Sequence, residues 1–247
     1  MLLLDAGNSS IKAQWWHDKA LQYTFSARYA PGWQSRFVAF LADIKGSHCY
    51  YSSVLIDALE SDLLTSLRQC LPAANIHRIT PLASCHGVRN AYQPAEGIGV
   101  DRWLCLLGAA ALTYKDVMIV DAGSAITIDL LRRDGQHLGG AILPGFNTTM
   151  ERFKAILHRA DFEHPDINKN DEPGSSTEAC IHIDYGPTDI AVVERLIDRW
   201  FERLAKDAAL IVTGGDAKYI KGDRYKHFRI VPDLVFQGMR QQLENQQ

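Results

Sequence analysis

Two short apolar runs in this sequence are followed by the same small motif. Residues 2–4 (LLL) and 117–120 (VMIV) each lead into Asp-Ala-Gly, then small or polar residues, then a return to apolar positions at Ile11 or Ile126. Short runs of strand-forming residues predict β-strands. A glycine between two strands predicts a hairpin turn, because glycine adopts backbone angles that other residues resist. Each half of the chain is therefore predicted to open with a β-hairpin.

The spacing of the two motifs indicates a duplication. Asp5 and Asp121 are separated by 116 positions, which is close to half of the 247 residues. A solenoid has shorter periods, so this spacing favours two similar domains. The polar residues 113–116 (TYKD) mark the expected boundary, and we predict an N-terminal domain over 1–115 and a C-terminal domain over 116–247.

The remaining pattern alternates between helices and strands. Leu59, Leu63 and Leu67 recur every four residues before Pro72, which predicts a helix ended by the proline. Further predicted elements are helices over 103–111 and 190–204 and strands over 50–54, 210–213 and 228–231. Such a mixture predicts the α/β class. The polar segment 161–176 (DFEHPDINKNDEPGSS) is predicted to be an exposed loop.

Composition and charge narrow the function classes. The net charge of -3 argues against a broad basic face for nucleic acid. The sequence has no apolar run of the roughly 18 residues that cross a membrane, and residues 1–5 lack the basic region of a signal peptide. The five cysteines are odd in number and scattered, as reduced thiols are. We therefore expect a cytoplasmic protein without nucleic-acid or membrane partners.

The segment Asp5–Lys12 (DAGNSSIK) carries the first candidate chemistry. Small residues at a hairpin allow a phosphate to approach backbone N–H groups, and Lys12 offers a positive charge. Asp5 would repel a bare nucleotide, so its presence near phosphates requires Mg²⁺, held directly or through water. The alternative is a plain β-turn with Asn and Ser as turn formers.

The second hairpin repeats this chemistry with Asp121 and Ser124. Two such hairpins facing each other could hold a triphosphate from both sides. Recurrence in both halves favours a functional interpretation over turn chemistry alone. Asp129 is either a further carboxylate for a cation or a solvent-facing strand residue.

Residues 97–103 (GIGVDRW) contain a third candidate. Asp101 precedes an apolar helical pattern, so it is either the N-cap of that helix or a carboxylate that accepts or orients a hydroxyl proton in phosphoryl transfer. The neighbouring Arg102 offers a fork for a carboxylate or phosphate. Two glycine-rich segments, 139–145 (GGAILPG) and 213–217 (TGGDA), are either backbone cradles or tight turns.

Taken in order, these five motifs resemble those of the type III pantothenate kinases. That family belongs to the acetate kinase, sugar kinase, Hsp70 and actin superfamily. The motifs span nearly the whole chain, and the chain length also matches. The resemblance departs at Ser9 and Ser124, where many members have threonine, and at Val100, where alanine is common.

The resemblance implies a duplicated RNase H-like, actin-like ATPase fold with ATP between the domains. It implies phosphorylation of the primary hydroxyl of pantothenate by MgATP, a potassium or ammonium ion at Asp121, and a homodimer. Implied ATP contacts are Asp5, Ala6, Gly7, Asn8, Ser9, Ser10, Ile11, Lys12 and Ser124. Implied pantothenate contacts are Tyr92, Gly99, Val100, Asp101, Arg102 and Thr177, with Asp101 as the general base and Thr177 in a site completed at the dimer interface.

Two other functions remain open from the sequence. One is a kinase of the same superfamily that acts on another small molecule, which a panel of acceptors would separate. The other is a non-catalytic regulatory homologue that binds nucleotide. A homologue that has lost catalytic activity is expected to lack Asp5, Asp101 or Asp121, and all three are present.

Overall fold

The computed structural model describes residues 1–46, 48–156, 175–176, 187–220, 222 and 225–244. The chain packs as two compact units. The first contains Met1–Leu112, Asp134–His137 and Asp233–Gln247, and the second contains Thr113–Arg133 and Leu138–Pro232. In the part of the chain that is described, no helix has the length and apolar character to cross a membrane.

A five-stranded sheet in the order β3-β2-β1-β4-β5 forms the centre of the first unit. Its strands are β1 (Leu2–Ala6), β2 (Ser10–His17), β3 (Ala20–Arg28), β4 (His48–Ser53) and β5 (Asn75–Arg78). The first three strands run antiparallel, whereas β4 pairs parallel to β1 and β5 parallel to β4. The sequence predictions of a first hairpin and of a strand near residues 50–54 are therefore confirmed.

The helices of the first unit are α1 (Trp33–Ala42), α2 (Asp57–Cys70), α3 (Val100–Leu112) and α6 (Leu234–Glu244). A short hairpin of β6 (Ser84–Cys85) and β7 (Val88–Arg89) lies between α2 and α3 in sequence. Leu4 of β1 packs in one core cluster with Phe37 of α1 and with Leu63 and Leu67 of α2. The leucine spacing thus correctly predicts both α2 and its buried face.

The C-terminal helix α6 belongs to the first unit because of its packing on α3. Trp103 is fully buried, and its indole N–H donates a hydrogen bond of 2.8 Å to Oε1 of Gln242. The amide of Gln242 in turn donates to the carbonyl of Thr80 at 2.9 Å. A buried indole nitrogen requires such a partner. Residues 233–244, which the sequence assigned to the C-terminal domain, therefore pack with the N-terminal part of the chain.

The second unit contains a five-stranded sheet in the order β10-β9-β8-β11-β12. Its strands are β8 (Val117–Ala122), β9 (Ala125–Leu131), β10 (His137–Pro144), β11 (Ala209–Thr213) and β12 (Phe228–Ile230). β8 pairs antiparallel to β9 and parallel to β11, which pairs parallel to β12. The helices described in this unit are α4 (Phe146–Ile156) and α5 (Pro187–Phe201).

The two sheets have the same strand order, which confirms the duplicated α/β, RNase H-like fold. Asp5 and Asp121 occupy the penultimate position of the first strand in each sheet, rather than the turn itself. Asp129 is only 3% exposed within β9, so the solvent-facing interpretation of that residue is wrong. Of the predicted loop 161–176, only residues 175 and 176 are among those described.

Candidate functional site

The turn of the first hairpin exposes polar groups. Residues 7–9 connect β1 to β2, and the N–H of Gly7 donates to the carbonyl of Ser10 at 3.0 Å to close the turn. Residues 8 and 9 are exposed. The carbonyl of Ser9 also accepts the N–H of Tyr29 at 3.1 Å, which ties the turn to the end of β3. An exposed turn held in this way is suited to bind phosphate oxygens.

Asp5 lies between register partners on both adjacent strands, and one of them bonds to its side chain. It pairs in register with Lys12 on β2 and with Ser52 on β4. The hydroxyl of Ser52, a residue that is 1% exposed, donates a hydrogen bond to Oδ1 of Asp5 at 3.1 Å. The sequence reasoning missed Ser52, since a serine within a strand carries no distinguishing signal of its own.

The electrostatics of Asp5 favour a bound cation. Burial raises the pKa of Asp5 to about 6. The charge of Lys12 and the hydrogen bond from Ser52 oppose this rise, whereas the negative charge of Asp101 adds to it. A divalent ion near Asp5 would compensate the carboxylate charge, and carboxylate oxygens are ligands that Mg²⁺ prefers. Asp5 therefore fits the role of Mg²⁺ ligand, directly or through water.

Asp101 lies in the first turn of α3. The helix begins at Val100, so Gly99 occupies the N-cap position and the N-cap interpretation of Asp101 is wrong. Oδ1 of Asp101 accepts the N–H of Arg102 at 2.9 Å. A Cβ on Gly99 would lie 2.5 Å from that oxygen, so a larger residue would displace the carboxylate. The positive end of the helix dipole stabilises a carboxylate at this position.

The structure brings Tyr92 and Arg102 together beside Asp101. Arg102 is 5% exposed, and its Nη1 donates to the hydroxyl of Tyr92 at 3.0 Å. Its guanidinium carbon lies 5.6 Å from the centre of the Tyr92 ring. Because Gly99 and Val100 directly precede Asp101, five of the six residues predicted to contact pantothenate lie in one part of the first unit. Thr177, the sixth, lies outside the described residues.

Two residues that the sequence did not reveal hold the loop of Tyr92. Oδ1 of Asn90 accepts the N–H of Tyr92 at 3.0 Å, and its amide donates to the carbonyl of Ala95 at 3.1 Å. Nδ1 of His137 accepts the N–H of Ala91 at 3.4 Å. An Asn that precedes a turn is a weak signal that sequence reasoning could have used.

The second hairpin is held by the start of α4. The carbonyl of Ser124 accepts the hydroxyl of Thr148 at 2.6 Å and the N–H of Gly145 at 3.0 Å. On the preceding strand, the carbonyl of Ala122 accepts the N–H of Asp216 at 2.9 Å. The two glycine-rich segments therefore both contact this hairpin.

The start of α4 also contacts the segment 213–217 through a side chain. The amide of Asn147 donates to Oδ2 of Asp216 at 3.2 Å, which links the start of α4 to the turn after β11. Gly214 lies against Asp121, where a Cβ would meet Oδ1 of Asp121 at 2.5 Å. Asp121 thus lies close to the backbone of Gly214. Among the residues the structure describes, no group of three or more His, Cys, Asp or Glu side chains forms a metal site.

The sequence also matches a known protein family. The sequence profile of the family described as type III pantothenate kinase matches residues 1–199. A type III pantothenate kinase of Ectopseudomonas mendocina is 29% identical over 97% of each chain. Another from Dichelobacter nodosus is 30% identical over 96% of this chain and 95% of its own.

Solved structures support the fold. A conserved Baf family protein from Campylobacter jejuni superposes with a TM-score of 0.59 at 22% identity, covering 100% of this chain and 98% of its own. Component A of the (R)-2-hydroxyglutaryl-CoA dehydratase of Acidaminococcus fermentans gives a TM-score of 0.51 at 11% identity, over 99% and 96% of the two chains. At these identities the likeness concerns the fold alone.

Proposed function

This chain belongs to the type III pantothenate kinase family, and from that membership we propose that it transfers the γ-phosphate of ATP to the primary hydroxyl of pantothenate, the first step of coenzyme A biosynthesis. One observation in the structure supports this proposal most strongly. Asp5, in β1 next to the proposed phosphate-binding turn, and Asp101 of the acceptor motif lie near enough for the negative charge of Asp101 to raise the pKa of Asp5. A phosphoryl donor and its acceptor need this proximity.

The ATP side of the reaction is assigned to the two hairpins. In the first, the turn of Asp5–Lys12 binds phosphate oxygens through backbone N–H groups, the polar side chains and Lys12. In the second, Ser124 contacts ATP. Asp5 holds Mg²⁺, which supplies charge neutralisation for the phosphoryl group in transfer.

The acceptor side is assigned to Tyr92, Gly99–Arg102 and Thr177. Pantothenate has a carboxylate, and Arg102 is the cation next to the general base in this cluster. A buried guanidinium pairs well with a carboxylate because its planar fork matches the two oxygens. The hydrogen bond from Arg102 to Tyr92 fixes the orientation of that fork.

Asp101 acts on the hydroxyl of pantothenate. A carboxylate is a weak base, but phosphoryl transfer depends on positioning more than on early proton removal. The carboxylate of Asp101 orients the hydroxyl for attack and accepts its proton late in the transfer. The hydrogen bond from the N–H of Arg102 fixes Oδ1 of Asp101.

Three finer features complete the proposal. Asp121 holds a monovalent cation, potassium or ammonium. The active form is a homodimer in which Thr177 contacts the substrate. The protein works in the cytoplasm, where buried thiols stay reduced. In agreement with an unreactive thiol, burial raises the pKa of Cys49 to about 12.

A coupled assay of ADP release tests the proposed function. Pantothenate, MgATP and potassium should together give ADP, and mass spectrometry should find one phosphate added to pantothenate. Omission of pantothenate should stop ADP release. ADP release with another small alcohol, but not with pantothenate, would indicate a related kinase instead. Nucleotide binding without turnover of any acceptor would indicate a regulatory homologue.

A further inference from the structure

We propose that His137 is a positioning residue for pantothenate, which holds Tyr92 in its binding geometry without touching the substrate. This inference rests on the proposed function, because it takes Tyr92 to be a pantothenate contact. His137 lies in none of the motifs by which the chain resembles its family. Its role follows from the contacts that surround it in the first unit.

The path of the chain explains how a residue beyond β9 comes to lie near Tyr92. Residues 134–137 pack in the first unit, next to strand β7. The N–H of Arg89 donates to the carbonyl of Gly135 at 2.8 Å, and Nε of Arg89 donates to Oε1 of Gln136 at 3.2 Å. The side chain of Arg89 also pairs with Asp134 at 3.7 Å. This segment is therefore fixed by contacts along its length.

Gly135 makes this close packing possible. Its φ is +83°, and a Cβ at this position would lie 1.9 Å from the carbonyl oxygen of Gly87. A residue with a side chain would have to adopt a strained backbone and would also push the segment away. The glycine thus allows His137, two residues later, to enter the interior.

His137 contacts both the backbone and the ring of the Tyr92 loop. It is 1% exposed, and its Nδ1 accepts the N–H of Ala91 at 3.4 Å. The His137 and Tyr92 rings are parallel to within 11°, with their centres 6.1 Å apart. Acceptance at Nδ1 requires that this nitrogen carries no proton. The imidazole therefore offers a flat surface to the Tyr92 ring and an acceptor to the N–H of Ala91.

Other contacts hold Tyr92 at different points. Asn90 accepts its backbone N–H, and Arg102 donates to its hydroxyl. Gly97 lies beside the ring, since a Cβ added there would be 3.3 Å from Cδ1 of Tyr92. His137 adds a buried surface parallel to the ring plane. Loss of that surface should let the ring tilt, which weakens pantothenate binding. ATP binding and the transfer step should change little, because Asp5 and Asp101 keep their own contacts.

Two variants separate the functions of the His137 side chain. His137→Phe keeps a flat ring and loses the acceptor, whereas His137→Asn keeps an acceptor and loses the ring. We expect His137→Asn to raise the KM for pantothenate about threefold to tenfold, the range of an aromatic pair, with kcat and the KM for MgATP unchanged. His137→Phe should give a smaller increase. His77→Phe, at an exposed histidine of β5, is the control and should match the wild type.

Hydrogen exchange gives a second reading that needs no substrate. Amides of residues 90–97 should exchange faster in His137→Asn than in the wild type or in His77→Phe. If both His137 variants show the KM values and the exchange rates of the wild type, the inference is overturned. It is also overturned if kcat falls and the KM values for pantothenate and MgATP both rise by similar factors, because that result indicates a merely structural role. If the wild type itself does not phosphorylate pantothenate, the proposed function and this role fail together. If the wild type phosphorylates pantothenate and the His137 variants behave like it, only the role of His137 is rejected.

Discussion

The hydroxyl of Ser52 donates a hydrogen bond of 3.1 Å to Oδ1 of Asp5. The two residues are directly paired in register between the parallel strands β4 and β1. Ser52 therefore fixes the orientation of the Asp5 carboxylate in β1. The bond also lowers the pKa of Asp5, against the larger effect of burial.

Replacement of Ser52 by alanine should weaken the enzyme most at low pH. Without the hydrogen bond, the pKa of Asp5 rises further, so less of the ionised carboxylate is present in mildly acidic solution. We expect kcat/KM at pH 6 to fall about fivefold, equivalent to ~1 kcal/mol, with a smaller loss at pH 8. A pH profile of kcat/KM for MgATP tests this. Ser26→Ala, an exposed serine of β3, is the control, and a Ser52→Ala profile that coincides with it contradicts the assignment.

Asp5→Asn should stabilise the protein without ligand while it removes activity. The folded-state pKa of Asp5 is about 6, above its ordinary value of 3.8. The neutral Asp5 carboxyl therefore makes its full contribution to the free energy of unfolding below pH 3.8, and this contribution is lost as the pH rises through 6. An amide does not ionise and can still accept the hydrogen bond from Ser52. We expect a gain of about 2 kcal/mol in the free energy of unfolding at pH 8 and little change at pH 3.5.

Urea unfolding at the two pH values measures this difference. Asp62→Asn, at an exposed position of α2, is the matched control and should show no comparable gain at pH 8. Equal effects of Asp5→Asn at both pH values would show that burial does not penalise the Asp5 carboxylate.

The sequence predicts local features of this protein well and long-range packing poorly. Asp5 and Asp121 could be placed in hairpins because an apolar run, a turn and a second strand are adjacent in sequence. The contact between Trp103 and Gln242 joins residues 139 positions apart, and no local sequence pattern predicts it. Ser52 and His137 were missed for the same reason. Each acts through a partner that only the folded chain brings near.

Asp121 should determine which monovalent ion supports activity. We expect the initial rate to be about tenfold lower in sodium-only buffer than in potassium or ammonium, because we propose that Asp121 holds one of these two larger ions. In the Asp121→Asn variant, the rate should be low and similar in all three salts. Equal wild-type rates in sodium and potassium at constant ionic strength would remove this role from Asp121.

Gly99→Ala should reduce turnover more than stability. The added methyl group would lie 2.5 Å from Oδ1 of Asp101, so the carboxylate must move away from its hydrogen bond with the N–H of Arg102. A small displacement of a reacting group lowers kcat strongly, and we expect a loss of about a hundredfold. Thermal unfolding should show a melting temperature close to that of the wild type. A variant with normal kcat would show that the position of Oδ1 is not critical.

The direct test of the proposed mechanism is the rate of phosphopantothenate formation by Asp101→Asn. Asparagine keeps the size and one oxygen of the side chain, so folding and ATP affinity should match the wild type in unfolding and nucleotide-binding measurements. With pantothenate, MgATP and potassium, we expect formation of phosphopantothenate to fall at least a hundredfold. Wild-type turnover in this variant would contradict the assignment of Asp101 as the base that prepares the hydroxyl for phosphoryl transfer.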